Sequence, residues 1–196
     1  MKIIFATQNK GKAKEVKNLF KGTGVEVVSL ADLGDNIEIE ETGTTFYENA
    51  FIKAKAIYEI YKMPVISDDS GLAIEQLSER PGVFSARYAG EGCSFEDNNR
   101  KVIEELKGYP HPHRAKFISQ AMFYDGNETI AFVGELHGRI IDKPRGKFGF
   151  GYDPIFIPDG FVHTLAELMV EEKNNISHRG KSFEKLKTRI IEVLKK

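Results

Sequence analysis

Two adjacent carboxylates, Asp68 and Asp69, follow the short apolar run 65–67. Neighbouring acids at the end of a buried strand repel each other and lose hydration unless a positive group relieves them. A hard cation such as Mg²⁺ would do so, because it takes oxygen ligands, and the acidic loop between Glu38 and Glu41 could complete the ligand set. The alternative is a turn with one exposed aspartate, and spacing alone does not separate the two interpretations.

A second candidate is a polar turn between an apolar run and a helical pattern. Its residues are Thr7, Gln8, Asn9, Lys10, Gly11 and Lys12. A strand-to-helix turn offers free backbone N–H groups and the positive end of a helix dipole, and the two lysines add charge, so the turn suits a phosphate group. The glycine spacings of the Walker loop and of the dinucleotide fingerprint are absent. A solvated helix cap is the alternative.

Two further clusters lie in the second half of the chain. Segment 146–154 contains glycines that allow a ligand to approach closely and aromatic rings that can stack on a flat base. The ordinary alternative, favoured without further context, is a tight turn whose phenylalanines feed the core. Lys173 and residues 177–180 could bind phosphate or the edge of a base through His178 and Arg179, although an exposed basic loop explains them as well.

The other histidines and the single cysteine indicate no site. His111 and His113 flank a proline in a loop and are interpreted as surface residues rather than ligands. His137 and His163 have no identifiable partner. Cys93 is interpreted as an incidental thiol, because no nearby histidine supplies a base.

The composition shows no strong charge bias. The 196 residues carry 28 Lys and Arg against 29 Asp and Glu, and this balance predicts no general attraction to nucleic acid or acidic membranes. One cysteine cannot form an intramolecular disulfide, so a reducing compartment is the natural setting. The apolar run 3–6 is too short for a secretion signal or a membrane span. We therefore expect a soluble, cytoplasmic protein with no membrane or nucleic-acid partner.

An α/β fold with mixed strand directions, in one domain over residues 1–196, must position these groups. Apolar runs predict strands, and apolar residues at helical spacing behind capping residues predict helices. The predicted strands are 2–6, 25–30, 65–67, 115–124 and 129–141, the last two joined by the turn 125–128. The predicted helices follow Lys12, span 46–62, and follow the caps Ser94, Thr164 and Ser182, the last with apolar positions Phe183, Leu186, Ile190 and Leu194. Residues 174–180 are expected to interrupt the last helices.

Six ordered segments resemble the inosine/xanthosine triphosphate pyrophosphatase family, and together they span nearly the whole chain. They are TQNKGK (7–12), EETG (40–43) with Phe46 and ENA (48–50), SDDSGL (67–72), PG (81–82) with SARY (85–88), GFGYDP (149–154) and SHRG (177–180). The resemblance implies an elongated, twisted mixed β-sheet flanked by helices, with two lobes around a central cleft, and a homodimer. It also implies Mg²⁺-dependent hydrolysis of ITP, dITP and XTP to the monophosphate and pyrophosphate.

The resemblance also implies roles for individual residues. Asp69 is the expected proton acceptor and a metal ligand, with Glu40 as the other metal-binding carboxylate and Asp68 in support. The triphosphate is assigned to the turn 7–12, Ser70 and Lys173. The base and its surroundings are assigned to Phe150, Gly151, Tyr152, Asp153, His178 and Arg179.

The chemistry of these residues suits that reaction. Attack at the α-phosphorus expels pyrophosphate, so cations must neutralise charge on the attacking and leaving oxygens, and Mg²⁺, Lys10, Lys12 and Lys173 are the available ones. An aspartate beside a metal-bound water can take its proton, which predicts an alkaline optimum. A site lined with donors, among them backbone N–H groups and Arg179, accepts the 6-keto group of inosine and xanthosine and rejects the adenine amino group.

Three other functions compete with this hypothesis. A related pyrophosphatase would act on modified pyrimidine triphosphates, but residues 177–179 argue against it. A non-catalytic nucleotide sensor would use the same residues without hydrolysis, and intact Asp69 and Glu40 argue against that. A nucleic-acid-binding module is disfavoured by the neutral net charge.

Overall fold

The computed structural model describes residues 1–194, with side chains to residue 193, and within that range it has seven strands and six α-helices. The strands are β1 (Lys2–Phe5), β2 (Glu26–Ser29), β3 (Val65–Ile74), β4 (Arg80–Pro81), β5 (His113–Tyr124), β6 (Thr129–Ile140) and β7 (Phe156–Pro158). The helices are α1 (Lys10–Phe20), α2 (Leu30–Leu33), α3 (Phe46–Tyr61), α4 (Phe95–Leu106), α5 (Val170–Ile176) and α6 (His178–Leu194). The predicted apolar position Leu194 lies outside the described side chains. None of the helices within residues 1–194 is both long and apolar enough to cross a bilayer.

The strands form one mixed sheet, which confirms the predicted α/β fold class. Their order is β2, β1, β3, β5, β6 and β7, with β4 added to β3. β1 is parallel to β2 and β3, whereas β4 is antiparallel to β3 and β7 is antiparallel to β6. The predicted turn 125–128 joins β5 to β6, its neighbour in the sheet.

The chain divides into two compact units. The first comprises Met1–Asp69, Ser119–Gly134 and the described residues from Ser177 onward, and the second comprises Ser70–Ile118 and Glu135–Ile176. β3, β5 and β6 each run from one unit into the other, so neither unit is one continuous stretch of chain.

The first unit has helices on both faces of β1, because alternate residues of this apolar strand point to opposite sides. Ile3 and Phe5 lie in a core with α1 and α6, and the Phe5 and Phe183 rings meet edge to face at 5.6 Å between centroids. Ile4 lies in another core with α3. Burying each such side chain contributes about 1.5–3 kcal/mol.

The second unit has its own core around β5 and β7. Phe117 of β5 and Phe156 of β7 pack with their ring centroids 4.7 Å apart. Leu72 of β3, Val102 of α4 and Leu165 belong to the same buried cluster. The helix predicted behind Ser94 therefore buries its apolar face as expected.

Thr45 and Ser94 are confirmed as helix caps, Thr164 precedes only a 3₁₀ turn over Leu165–Glu167 in place of the predicted helix, and the prediction for Ser182 is wrong. Thr45, Ser94 and Thr164 each form a reciprocal capping box with the acidic residue three positions on. Ser182, by contrast, lies inside α6. That helix begins four residues earlier, because Ser177 accepts a hydrogen bond from the Gly180 N–H at 2.9 Å and caps it there. The predicted interruption over residues 174–180 is accordingly reduced to Ser177, between α5 and α6.

The sequence predicts the carboxylate pair at a strand end, and this prediction is wrong. β3 continues through Asp68 and Asp69 to Ile74, with both aspartates buried, at 2% and 5% exposure. The alternative of a turn with one exposed aspartate is equally wrong. Because successive side chains of a strand point to opposite faces, the two carboxylates have separate surroundings and need not share one cation.

Candidate active site

Two cations hold Asp68, one near the N-terminus and the other at the start of α6. Its carboxylate lies 2.8 Å from Lys12 Nζ and accepts a hydrogen bond from Arg179 Nε at 3.0 Å. Burial alone would raise the pKa of Asp68, but Arg179 and Lys12 outweigh it, so the pKa lies well below its ordinary range. Asp68 is therefore a buried anion that ties the start of α1 to the start of α6.

Arg179 is itself buried, at 1% exposure, and connects two carboxylates. Besides Asp68, its guanidinium donates from Nη1 to Glu15 Oε2 at 2.7 Å. Burial would lower the pKa of Arg179, yet Asp68 and Glu15 raise it. Glu15 was missed from the sequence. It lies three positions after Lys12 on α1, and this helical spacing is the signal that could have identified it.

Asp69 faces a different set of partners, on α3. Asn49 Nδ2 donates to its carboxylate at 3.1 Å, and Lys53 Nζ lies 3.4 Å from it and 3.0 Å from Glu41. Burial raises the pKa of Asp69, although Lys53 opposes the shift. Burial would lower the pKa of Lys53, but Asp69 and Glu41 outweigh it and raise that pKa.

Neither Asn49 nor Lys53 had been assigned a role from the sequence. They are four residues apart on α3 and therefore share one face of the helix. Lys53 is a lysine at a position where the apolar pattern predicts burial, next to Ala50 and Ala54. A charged residue on the apolar face of a predicted helix is the signal that marks it as a partner for a buried acid.

The predicted metal carboxylate Glu40 is exposed to solvent. Ile37 and Ile39 are partly buried, so the alternation of apolar and acidic residues turns Glu38 and Glu40 outward. Glu41, next in the chain, instead forms the ion pair with Lys53. The structure thus groups Glu41 with Asp69 through this lysine, and the role of Glu40 stays a prediction.

The turn 7–12 forms the N-terminal end of α1. Asn9 caps it, accepting hydrogen bonds at Oδ1 from the N–H groups of Gly11 and Lys12 at 2.9 and 3.1 Å. Thr7 Oγ1 accepts a hydrogen bond from the Asn9 N–H at 3.1 Å. Gln8 donates to the Asp35 carbonyl, and Lys10 is exposed. A phosphate bound here would compete with the Asn9 side chain for the same donors.

The glycine-rich segment of the second unit folds around Asp153. The Phe150 N–H donates to Asp153 Oδ2 at 2.8 Å, and Lys173 Nζ lies 2.5 Å from the same oxygen and 4.7 Å from the Phe150 ring centroid. Gly149, at φ +74°, leaves room for that carboxylate, because a Cβ there would lie 2.1 Å from Asp153 Oδ2. The structure therefore groups Lys173, predicted for the triphosphate, with the residues predicted for the base.

A surface cavity of about 230 Å³ adjoins this loop within the second unit. It is lined by residues 146–151 and Pro154 and by Phe95, Glu96 and Asn99 of α4. The Phe95 and Phe150 rings lie 6.1 Å apart at an angle of 43°. Small residues and aromatic faces beside one cavity are what a flat heterocycle requires.

Tyr152 and Gly151 serve the structure of this loop. Tyr152 is buried in the second unit's core and donates its hydroxyl to the Ser85 carbonyl at 2.8 Å, and burial strongly raises its pKa. The Gly151 carbonyl accepts a hydrogen bond from Asn99 Nδ2 at 3.1 Å. Tyr152 thus fits the alternative in which aromatic residues of this segment feed the core. No sequence signal identified Asn99, because its partner is 52 residues away.

Ser70 and His178 complete the predicted set. Ser70 is partly buried in β3 and is the first residue of the second unit. His178, the first residue of α6, is buried at 3% exposure. Gly134 of β6 lets this turn approach, because a Cβ there would lie 2.1 Å from the His178 carbonyl oxygen.

Comparisons with known proteins agree over almost the full length of the chain. A model described as the Ham1 family matches residues 3–189. A protein of Thermoanaerobacter pseudethanolicus named dITP/XTP pyrophosphatase is 49% identical over 195 residues, which cover 99% of this chain and 98% of that protein. One of Bacillus subtilis with the same name is 49% identical over 185 residues, 93% of each chain. The structure is similar to that of a HAM1 protein from Coxiella burnetii, with a TM-score of 0.87, 38% identity, and coverage of 98% of this chain and 99% of that one.

Proposed function

Because this chain belongs to the Ham1 family, we propose that it hydrolyses non-standard purine nucleoside triphosphates to the monophosphate and pyrophosphate. Relatives that match nearly its whole length are named dITP/XTP pyrophosphatase, and dITP, XTP and ITP are the proposed substrates. The observation that carries the proposal is the buried Asp69, oriented by Asn49 and charge-balanced by Lys53.

Asp69 acts in this proposal as the general base. Water attacks the α-phosphorus, the bond from that phosphorus to the bridging oxygen of pyrophosphate breaks, and the Asp69 carboxylate takes the proton of the water. A carboxylate whose pKa is raised by burial is a stronger base than an exposed one. Asn49 donates a hydrogen bond to Oδ2 of Asp69, and Lys53 donates one to Oδ1, so both carboxylate oxygens are held in place.

The triphosphate is proposed to bind the turn 7–12, Ser70 and Lys173. Lys10 is exposed and free to meet a phosphate, whereas Lys12 already neutralises Asp68. The backbone donors at the start of α1 favour negative charge. Together these groups offset the charge that accumulates on the leaving pyrophosphate.

The base is proposed to bind the loop from Phe150 to Asp153, with His178 and Arg179 in support. The cavity beside Phe150 supports this assignment. Arg179 acts through its buried ion pairs, which hold the first turn of α6, rather than through free donors on its Nε and Nη1 atoms. The preference for a 6-keto base then depends on the loop's backbone donors and on this fixed turn.

A divalent cation fits the residues around Asp69. The carboxylates that the structure groups there are those of Asp69 and Glu41, Glu40 is proposed as a further ligand, and hard cations such as Mg²⁺ prefer oxygen. Lys53, between Glu41 and Asp69, already shows that this group of acids requires positive charge. When bound, the cation neutralises charge on the phosphoryl oxygens.

The proposal extends to the setting of the reaction. Residues 1–196 form one catalytic domain, which is supported by a family model that matches residues from both units. Two chains are proposed to associate as a homodimer, and the enzyme is proposed to work in the cytoplasm on the nucleotide pool. The similarity to relatives with nucleotide substrates in their names supports a role in the nucleotide pool.

The test is release of pyrophosphate by the purified protein with Mg²⁺ from a panel of ITP, dITP, XTP, the standard triphosphates and modified pyrimidine triphosphates. Turnover of the first three above the rest is expected, and Asp69→Asn should lower kcat by ~10²–10⁴-fold, since it removes the base. Glu128→Gln, an exposed acid in the turn after β5, is the control. Binding of ITP without pyrophosphate release would identify a sensor, and preference for pyrimidines would identify the related pyrophosphatase.

A further inference from the structure

We propose that His111, His113 and Asp142 form a binding site for a borderline divalent transition-metal ion, with Zn²⁺ as the reference ligand. Among the residues that the structure describes, they are the only group of three His, Cys, Asp or Glu side chains whose ligand atoms lie within 4.8 Å of one another. All three belong to the second unit. The sequence predicts both histidines at the surface, which is confirmed for His111 and wrong for the buried His113.

Two distances within the cluster approach the spacing of ligand atoms around one ion. His111 Nε2 lies 3.4 Å from Asp142 Oδ2, and His113 Nδ1 lies 3.9 Å from Asp142 Oδ1. Bonds of ~2.0–2.1 Å in a tetrahedral site place neighbouring ligand atoms roughly 3.3 Å apart. The first distance meets this value, and a small rotation of the Asp142 carboxylate would bring the second close to it.

His113 is the buried ligand of the proposed site, and its ring is held in place by a hydrogen bond. Its side chain is buried, at 2% exposure, and its Nε2 lies 3.2 Å from the Tyr109 carbonyl oxygen. A carbonyl can only accept, so Nε2 carries the proton and Nδ1 is left with its lone pair. Metal-bound histidines are held in this way, with the second ring nitrogen donating to a backbone carbonyl.

The Nδ1 atom of His113 has no hydrogen-bond partner among the described residues, although it is buried. This atom lies 3.9 Å from Asp142 Oδ1, and two electron-rich groups at such a distance repel unless a cation lies between them. A metal ion would satisfy both. The competing explanation is a proton on Nδ1, which would make His113 an imidazolium paired with Asp142.

The other two ligands give an ion access from solvent. The side chains of His111 and Asp142 are 63% and 59% exposed, so they can adjust to an ion while the buried His113 stays fixed. The rings of His111 and His113 stack with centroids 4.1 Å apart, so the exposed His111 ring would turn out of this stack to direct its in-plane lone pair at the same ion. A fourth position remains for water.

The donor set determines the class of metal. Two imidazole nitrogens and one carboxylate suit Zn²⁺, Co²⁺ or Ni²⁺, whereas Mg²⁺ and Ca²⁺ favour oxygen ligands throughout. The site is thus chemically distinct from the acidic group around Asp69. His113 opens β5, and Asp142 follows the end of the neighbouring β6. A bound ion would join these two strand ends, which lie opposite the turn 125–128, and would stabilise the fold.

The test is titration of the metal-free, full-length protein with Zn²⁺ in excess Mg²⁺, followed by calorimetry and by the unfolding temperature. One strong Zn²⁺ site and a raised unfolding temperature are expected. His111→Ala and Asp142→Asn, which change exposed side chains, should each weaken that binding by more than ~10-fold, because even the outer partners of metal ligands contribute 10–100-fold. Co²⁺ should give the visible absorption of a tetrahedral site, and Asp142→Asn should abolish it.

His137→Ala is the matched control, because His137 is also an exposed histidine beside a carboxylate, 3.3 Å from Glu135. This variant and Asp69→Asn should both keep the Zn²⁺ site. The proposal would be overturned by Zn²⁺ isotherms that are the same in the wild type, His111→Ala and Asp142→Asn. Lack of the Co²⁺ absorption would overturn it too and would favour the imidazolium pair. Neither result bears on nucleotide hydrolysis, which is measured separately.

Discussion

A buried carboxylate has a lowered pKa only where nearby cations outweigh its lost hydration, a condition that Asp68 meets and Asp69 does not. Asp68 has Arg179 and Lys12 within 3.0 Å, and its pKa is lowered. Lys53 lies 3.4 Å from Asp69 and the Asn49 amide donates to it, but burial prevails and its pKa is raised. Adjacent residues of one strand are thus divided between a structural anion and a candidate base.

The first prediction at this scale concerns Arg179→Met. The substitution leaves the carboxylates of Asp68 and Glu15 without their shared partner, and breaking a buried pair typically costs ~3–5 kcal/mol. We expect a loss of that size in the free energy of unfolding, measured by urea denaturation. Arg189→Met, on the same helix but in an exposed pair with Glu192, should change it by less than ~1 kcal/mol.

The same pair of variants separates two roles for Arg179. If its guanidinium served only to bind a base, Arg179→Met would unfold at the same urea concentration as Arg189→Met and would differ only in substrate preference. Equal stability of the two variants would therefore refute the positioning role proposed for Arg179.

Residue types in the sequence indicate which side chains could be functional, but they do not show which side chains form ion pairs with one another. The acids Asp68 and Asp69 and the basic residues of segment 177–180 stand out by composition alone. Their pairing does not, because Arg179 is 111 residues from Asp68 and only the folded chain brings them together. The sequence does not show the contact between Arg179 and Asp68, and for that reason it predicts Arg179 as a donor to the base.

Elements were predicted well where the signal is local. Capping boxes at Thr45, Ser94 and Thr164 involve residues three positions apart, so the sequence contains the whole interaction. The sequence predicts a strand over 65–67 and an extended stretch over 72–74 but no strand between them, because aspartate, serine and glycine are poor strand formers. Tertiary ion pairs override that preference, since Arg179, Lys12 and Lys53 stabilise the carboxylates within the strand.

The prediction at the scale of elements concerns the contact between β6 and the first turn of α6. A Cβ on Gly134 would lie 2.1 Å from the His178 carbonyl oxygen and 2.7 Å from the Ser182 nitrogen. Both are backbone atoms, so in Gly134→Ala the helix must move. Such overpacking typically costs ~1–3 kcal/mol, and we expect that loss in urea denaturation together with a lower kcat on ITP.

The control for this variant is Gly108→Ala. Gly108 follows α4, and a Cβ there meets nothing within 4 Å. Its unfolding midpoint and activity should match the wild type. A Gly134→Ala protein that is as stable and as active as Gly108→Ala would contradict the close approach of α6 to β6.

On the scale of the whole molecule, the division into two units does not follow the order of the chain. Each unit has a separate apolar core, one around Phe5 and Phe183 and the other around Phe117 and Phe156. The sequence predicted a single domain, and nothing in its composition indicates a boundary, because the chain passes between the units inside strands rather than in linkers. Hydrophobic patterning locates buried residues but does not assign them to a core.

The shared strands predict that the two units unfold together. If β3, β5 or β6 loses its structure in one unit, the hydrogen bonds of the same strand in the other unit lose their support. Phe183→Ala in the first core and Phe156→Ala in the second should therefore each shift one common transition, by ~3–5 kcal/mol. Hydrogen exchange measured by mass spectrometry across a urea series follows peptides of both units at once. Two transitions, with Phe183→Ala moving only that of the first unit, would show instead that the units fold independently despite their common strands.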